Sequence, residues 1–289
     1  MLLPVDKIKL NENIKIGTMF GPRLKFCMQE RHANNKRYFE EQAHTTEKYV
    51  IPYISAIKPV SADLRVLEIG CGEGGNLGPF LNLGCEVVGV DIVQSRIDKA
   101  RFYYQDHPNQ NNLKLICDDI YNRTDSDGLF DIIIMRDVIE HIHNQEKFMS
   151  FVKRFMRSDA VFFLAFPPWY NPFGGHQQIC KGKMLSKLPF YHILPTFLYR
   201  NILKFGGESQ KTIEDLIEIK QTGITIERFE KIVRTEGFQI KSRTWYFINP
   251  NYETKFGLKP RIQSSILTAF PFFRNFFVTA AYYLISKEK

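Results

Sequence analysis

The stretch Val66-Leu67-Glu68-Ile69-Gly70-Cys71-Gly72-Glu73-Gly74-Gly75 is a short apolar run holding one acid, followed by four glycines within six residues. The run predicts a buried strand. The glycines predict a loop whose backbone comes close to a ligand, because glycine lacks a Cβ and tolerates positive φ. A helix predicted to begin near Asn76 would turn its free N–H groups toward that ligand.

Outward from this stretch, apolar strands alternate with amphipathic helices. The expected order is strand 65–69, helix 76–83, strand 86–91, helix 95–104, strand 114–117, strand 130–136, helix 146–156 and strand 161–166. Such alternation predicts an α/β fold, a doubly wound parallel sheet with helices on both faces. Its ligand belongs at the carboxyl ends of the strands, beside the topological switch point. Before the first strand, residues 1–59 read as a loosely held arm (1–22) and a helical cover whose aromatic positions Tyr38, Phe39, Tyr49 and Tyr53 recur at about helical spacing. The main domain is expected over 60–289. It carries one insertion at about 167–222 and another at about 249–275, with a helix at 225–236 and strands at 239–248 and 276–286 between and after them.

The 289 residues suffice for one such domain with insertions, and the composition is that of an ordinary globular chain. No signal-peptide pattern is present at Met1, so a cytoplasmic location is expected. The segment 266–285 is too interrupted, by Arg274 and Asn275, to serve as a membrane span. Five scattered cysteines without CxxC spacing give neither a disulfide framework nor a zinc site, and no metal is expected. Charge divides the chain: residues 1–150 hold 18 Lys+Arg against 21 Asp+Glu, and residues 151–289 hold 21 against 10. The basic half should face something anionic, or a membrane surface.

Gly70-x-Gly72-x-x-Gly75 followed by Asp91 at the end of the second strand satisfies the dinucleotide fingerprint. Three features argue for a cofactor with adenine, ribose and a cationic amino-acid head instead. Glu68 lies inside the strand before the glycines, where a buried carboxylate needs a partner. Cys117-Asp118-Asp119-Ile120 closes the third strand with acids. The fourth strand leads through Arg136-Asp137-Val138-Ile139-Glu140-His141, which places Arg136, Asp137 and His141 at the cleft.

Taken in order, Glu68-Ile-Gly70-Cys71-Gly72, Gly89-Val-Asp91-Ile92, Asp119-Ile120 and Phe130-Asp131-x4-Arg136-Asp137-Val138-x-Glu140-His141 resemble the class I S-adenosylmethionine-dependent methyltransferases, in particular the ubiquinone-biosynthesis type of small-molecule enzyme. The resemblance covers about 60–166. It implies a Rossmann-like seven-stranded sheet with the last strand antiparallel, an N-terminal helical cover and a lid after the fifth strand. It also implies that Glu68, Gly70, Cys71 and Gly72 line the methionine end of S-adenosyl-L-methionine, with the backbone of Arg136 and neighbouring Asp137 at its amine. Asp91 would hold the ribose hydroxyls, Ile92 and Ile120 would flank adenine, and Asp119 would accept from the adenine amino group.

The implied reaction is methyl transfer, O-methylation first, to a small-molecule, glycan or lipid-linked acceptor. A general base is needed if that acceptor is a hydroxyl. His176 is the first candidate, since the preceding Gly174-Gly175 permits a close turn beyond the fifth strand, and His141 and Tyr170 follow. Pro167-Pro168-Trp169-Tyr170 is similar to the Asn-Pro-Pro-aromatic loop of amino-group methyltransferases, but it lacks the leading Asn and follows the fifth strand, so nucleobase methylation is not carried over. Nucleic acid is the disfavoured partner, with an RNA methyltransferase kept as the alternative because of the basic half. A nicotinamide oxidoreductase and a non-catalytic cofactor-binding module complete the alternatives.

Overall fold

The computed structural model describes residues 35–124 and 128–288. The expected arm at 1–22 and the cover before Asn35 lie outside the described residues. The cover enters as α1 (Asn35–Thr45), tightens into a π-helical turn at Thr46–Val50 and continues as α2 (Ile51–Ser55).

Strands β1 (Arg65–Ile69), β2 (Glu86–Asp91), β3 (Leu113–Cys117), β4 (Phe130–Arg136), β5 (Met156–Phe166), β6 (Phe238–Ile248), β7 (Arg261–Ile262) and β8 (Ala280–Lys287) form one sheet in the order β3-β2-β1-β4-β5-β8-β6-β7. β1 to β5 run parallel, and β8 lies antiparallel between β5 and β6. These are the seven expected strands with the last reversed. β7 adds a two-residue antiparallel edge ribbon on β6. The strand order reverses between β1 and β4, and Glu68 of β1 is in register with Ile134 of β4, so the switch point falls at the glycine loop.

The alternation of side chains across β1 splits the core. Leu67 and Ile69 enter a cluster completed by Phe148 and Val152 of α5 (Gln145–Val152) and Phe229 and Val233 of α8 (Ile226–Thr235). Val66 faces the opposite cluster with Val50 and Ile54 of the cover, Phe80 and Leu81 of α3 (Gly78–Asn82) and Ile97 of α4 (Gln94–Tyr104). Glu68 follows Val66 onto the cover side, because side chains two apart share a face.

Two expectations about element bounds change. The helix after the glycines spans only five residues, from Gly78, because a turn closed by Leu77 N on Gly74 O and Gly74 N on Cys71 O occupies the residues before it. β5 begins at Met156 instead of 161, since α5 stops at Val152 and a 3-10 turn at Lys153–Phe155 leads directly into the strand.

The insertion after β5 folds around its own small core. α6 (Thr196–Phe205) and α7 (Gln210–Thr222) bury Tyr199, Leu203, Ile213 and Leu216 against Trp169, Cys180 and Tyr191. It is tied to the main domain by Trp169 N donating to Ile224 O at 2.8 Å. The second excursion holds α9 (Asn251–Phe256), β7 and α10 (Ser265–Thr268). β5 and β6 point the same way, both opposed to β8, so the two insertions leave the sheet at the same edge.

Candidate functional site

Gly70, Gly72 and Gly74 all have positive φ (73°, 54° and 84°), the conformation glycine reaches at least cost. A Cβ on Gly70 would stand 2.6 Å from Val138, and one on Gly75 would stand 2.6 Å from the Phe39 carbonyl of α1. The loop is therefore held between the segment after β4 and the cover helix.

Asp91, at the end of β2, is buried and anchors this loop. Its Oδ2 accepts from Gly72 N at 2.8 Å and its Oδ1 from Val93 N at 2.9 Å. Ile92 beside it is 73 % exposed, an apolar face left open at the cleft. Cys71 is buried, and its N donates to Val90 O at 3.1 Å. Burial pushes its thiol well above the ordinary range, so it is no nucleophile.

Glu68 is 1 % exposed and, among the described residues, its only hydrogen-bond partner is neutral: Asn76 Nδ2 donates to its Oε1 at 2.5 Å, and its Oε2 has none there. Burial pushes its carboxyl up to about 8, against the opposing effects of Asn76 and the Arg136 charge. Asn76 Oδ1 in turn accepts from Arg136 Nη1 at 2.6 Å and from Thr46 Oγ1 at 2.8 Å. Arg136 Nη1 also reaches Thr46 Oγ1 at 3.1 Å, and its buried Nε has no partner. A network of four residues thus runs from β1 through the glycine turn to β4 and the π-helical turn of the cover, and it holds one acceptor and one donor without a partner among the described residues. Tyr38 of α1 closes over the same region, its hydroxyl pushed up to about 12 by burial and then by the charge of Asp137.

Beyond β2, the acids of the third strand divide their work. Asp118 accepts from Asp119 N and Asn122 Nδ2, while exposed Asp119 caps the following turn by accepting from Tyr121 N at 2.9 Å. Ile120 is 7 % exposed and belongs to the core, which leaves Ile92 as the open apolar neighbour of the cleft. Asp137 is exposed at φ 53°, and its N donates to Ala165 O at 2.8 Å.

On the other side of the switch point, the 3-10 turn Ile139–His141 and the loop after β5 bring three groups together. Donor atoms of Glu140, His141 and His176 all lie within 4.8 Å of one another. His176 Nε2 stands 3.8 Å from Glu140 Oε1, and the two imidazoles meet edge to face at 4.9 Å. Both Glu140 carboxylate oxygens are buried without a hydrogen-bond partner among the described residues. Burial, and then the charge of Asp137, drives this carboxyl well above the usual range. His176 is held down at about 3 by burial and by its histidine neighbours, and burial also lowers His141. Such a set can share a proton, or hold a divalent cation between one carboxylate and two imidazoles.

His176 owes its place to the glycines before it. A Cβ on Gly174 would collide with the Trp169 carbonyl and one on Gly175 with the His192 ring, and His176 itself takes the left-handed conformation at φ 54°. Tyr170 is not beside it in this cluster. Its ring stacks on Phe276 at 5.3 Å and meets Phe272 edge to face at 4.8 Å, so it joins the two insertions.

The sequence reading missed Thr46, Asn76, Tyr38 and Glu140. Asn76 could have been found as the first amide after the glycines, and Glu140 as a carboxylate between apolar positions. Thr46 and Tyr38 carry no sequence signal, since only tertiary packing brings the cover over β1.

A family model described as a methyltransferase domain matches residues 37–175. The ubiquinone biosynthesis O-methyltransferase of Bartonella tribocorum is 34% identical over 109 residues, 36% of this chain and 41% of that protein. That of Pelagibacter ubique is 25% identical over 213 residues, 70% and 78% of the two chains. The matched region thus spans about two fifths of the Bartonella relative's length. Among solved structures, a plantazolicin methyltransferase in complex with a triazolic desmethyl analogue and SAH superposes with a TM-score of 0.53 at 12% identity, over 90% of each chain. A putative sarcosine dimethylglycine methyltransferase from Galdieria sulphuraria does so at 0.54 and 12% identity, over 84% and 85%. At these identities the likeness establishes a shared Rossmann-like fold.

Proposed function

Taking the chain as a class I methyltransferase of the S-adenosylmethionine-dependent kind, we propose that it transfers a methyl group to an oxygen of a small-molecule acceptor. The observation that carries this reading is the network at the switch point. A free amino-acid end presents an ammonium and a carboxylate, and Glu68 Oε2 and Arg136 Nε are the unpartnered acceptor and donor that match them. Glu68, Asp91, Asp119 and Asp137 surround the loop with acids, which suits a cationic ligand and opposes a pyrophosphate. Asp91 is the group for the ribose hydroxyls, Ile92 for the adenine face, and Asp119 for the adenine amino group.

When bound, S-adenosyl-L-methionine supplies a methyl group already activated by its sulfonium. The chain's part is to place the acceptor in line, exclude water and accept the hydroxyl proton. His176 is the proton acceptor in this proposal. An imidazole held near 3 gains a proton only if the imidazolium is offset, and Glu140, 3.8 Å away, offsets it only in its ionised form, which burial and the charge of Asp137 disfavour in the free protein. His141 packs on the His176 ring and fixes its orientation. Tyr170 is assigned to the wall between the insertions, away from the proton.

The acceptor is a glycan or lipid-linked molecule, anionic in keeping with the basic half that covers this end. Residues 1–59 act as the cover and 167–222 as the lid of one methyltransferase domain over 60–289, working in the cytoplasm. Calorimetry with S-adenosylhomocysteine and with NAD tests the cofactor: micromolar binding of the first and none of the second is expected, and the reverse would establish an oxidoreductase. Filter binding of RNA with a steep salt dependence would replace the small-molecule acceptor by nucleic acid.

A further inference from the structure

β8 carries a hydroxyl that packing does not explain. Tyr282 is 1 % exposed, and its Oη has no hydrogen-bond partner among the described residues. The ring itself is well held, meeting Phe163 of β5 edge to face at 5.2 Å, Tyr246 of β6 at 4.9 Å and Tyr53 of the cover at 6.0 Å. A phenylalanine would make the same ring contacts, and a buried hydroxyl left without a partner is costly.

The sheet register says what stands beside it. Arg136, the last residue of β4, is in register with Ala165 of β5, and Ala165 with Tyr282. All three side chains lie on the cover side of the sheet: Arg136 reaches Asn76 and Thr46 there, and Ala165 and Tyr282 belong to that core cluster. Neighbouring strands are about 4.8 Å apart, so Arg136 and Tyr282 are rooted about 10 Å from one another with only the Ala165 methyl between them. The row sits at the strand ends where the cleft opens, since Asp137 N donates to the Ala165 carbonyl.

The two side chains are complementary in what they leave unmade. The Arg136 guanidinium is engaged through Nη1, and its buried Nε has no partner among the described residues. Burial, opposed by the Arg136 charge, holds the Tyr282 phenol above its usual range, so it stays protonated and can donate. Two buried donors, one of them cationic, flanking an alanine suit an anion with two oxygens. A phosphate would set a second negative charge near Glu68 and Asp137, and a carboxylate does not.

We propose that Tyr282 Oη and Arg136 Nε each donate to one oxygen of a single carboxylate, that of the amino-acid end of the cofactor, so that Tyr282 is a cofactor-binding residue carried on the last strand of the sheet. This rests on the S-adenosylmethionine-dependent reading above and extends it: Arg136 Nε alone meets one carboxylate oxygen, and Tyr282 meets the other. Glu68 Oε2, on the same side of the sheet, is left to the ammonium.

The test pairs Tyr282→Phe with two ligands in calorimetry: S-adenosylhomocysteine and its decarboxylated analogue, in which hydrogen replaces the carboxylate. The parent should prefer S-adenosylhomocysteine by at least about tenfold. Tyr282→Phe should bind S-adenosylhomocysteine at least about fivefold more weakly and the analogue within about twofold of the parent. The ligand-free variant should melt no lower than the parent, because in the free protein the hydroxyl has no bond to lose. Equal weakening of both ligands would make Tyr282 a packing residue and overturn the proposal, as would a parent that binds the two ligands alike. Unchanged affinity of the variant for S-adenosylhomocysteine would also overturn it, and is the result expected if the two donors serve a carboxylate on the acceptor. A parent that binds NAD and not S-adenosylhomocysteine would instead overturn the cofactor reading, and this proposal with it.

Discussion

The two ends of the cleft are built by opposite means. At the cofactor end the ligand surface is mostly backbone: glycines at positive φ, held by Asp91 and braced by the Glu68–Asn76–Arg136–Thr46 network. At the acceptor end it is side chains, brought together from the loop after β4, the lid and the second excursion. His176, Phe190 and Phe272 there hold left-handed or strained backbone without being glycine. The first end is closed by a contact between Thr46 and Arg136, 90 residues apart, and the second by one between Tyr170 and Phe276, 276 − 170 = 106 residues apart.

The sharpest test of this division is His176→Ala. Turnover should fall by about a hundredfold while cofactor affinity stays within about twofold, read from steady-state kinetics and calorimetry on one preparation. A near-native rate would return His176 to a purely structural place in the lid loop.

Asp91→Ala should do the converse. Cofactor affinity should drop at least about tenfold, since the carboxylate that fixes Gly72 N and Val93 N is lost as well as the ligand contact. Unchanged cofactor affinity would break the reading of the whole cofactor end.

Proton release separates the ends more finely. With its carboxyl near 8, Glu68 is mostly protonated at pH 7 in the free protein, and an ammonium beside it favours the ionised form. Cofactor binding should therefore release up to about one proton at pH 7, seen as a dependence of calorimetric enthalpy on buffer ionisation enthalpy. Glu68→Gln should abolish that dependence, and its persistence would move the proton to another group.

The smallest effect is at Glu140. Its folded carboxyl titrates well above the unfolded one, so the unfolded chain binds fewer protons and stability falls as pH rises past the ordinary carboxylate range. Glu140→Gln removes this loss, and its melting temperature at pH 8 should exceed the parent's by about 2–4 °C. A lower melting temperature, together with activity lost on chelation, would show that Glu140, His141 and His176 share a divalent cation.

Where local rules decide the structure, the sequence was readable. The alternation of strands and helices, the glycine loop, Asp91 and the two insertions all follow from period, turn chemistry and the position of acids at strand ends. The placing of His176 beside Glu140 was only half readable: Gly174 and Gly175 announce a tight turn, but their crowding by Trp169 and His192 depends on the folded lid. Ile120, which the resemblance sets among the cofactor residues, packs in the core at the start of a 3-10 turn. Thr46 was invisible for the reason that makes it effective, since it completes a polar network whose members are brought together only by folding.

The position of β8 has a consequence for how the chain is made. Phe166 at the end of β5 pairs with Ala281, so the outer edge of an otherwise finished parallel half-sheet waits for a strand synthesised much later. At about 5–20 residues per second, the intervening ~115 residues take roughly 6–23 s to emerge from a ribosome. Throughout that interval the apolar edge Val161–Phe166 is an open strand template, the kind of edge on which another chain can pair.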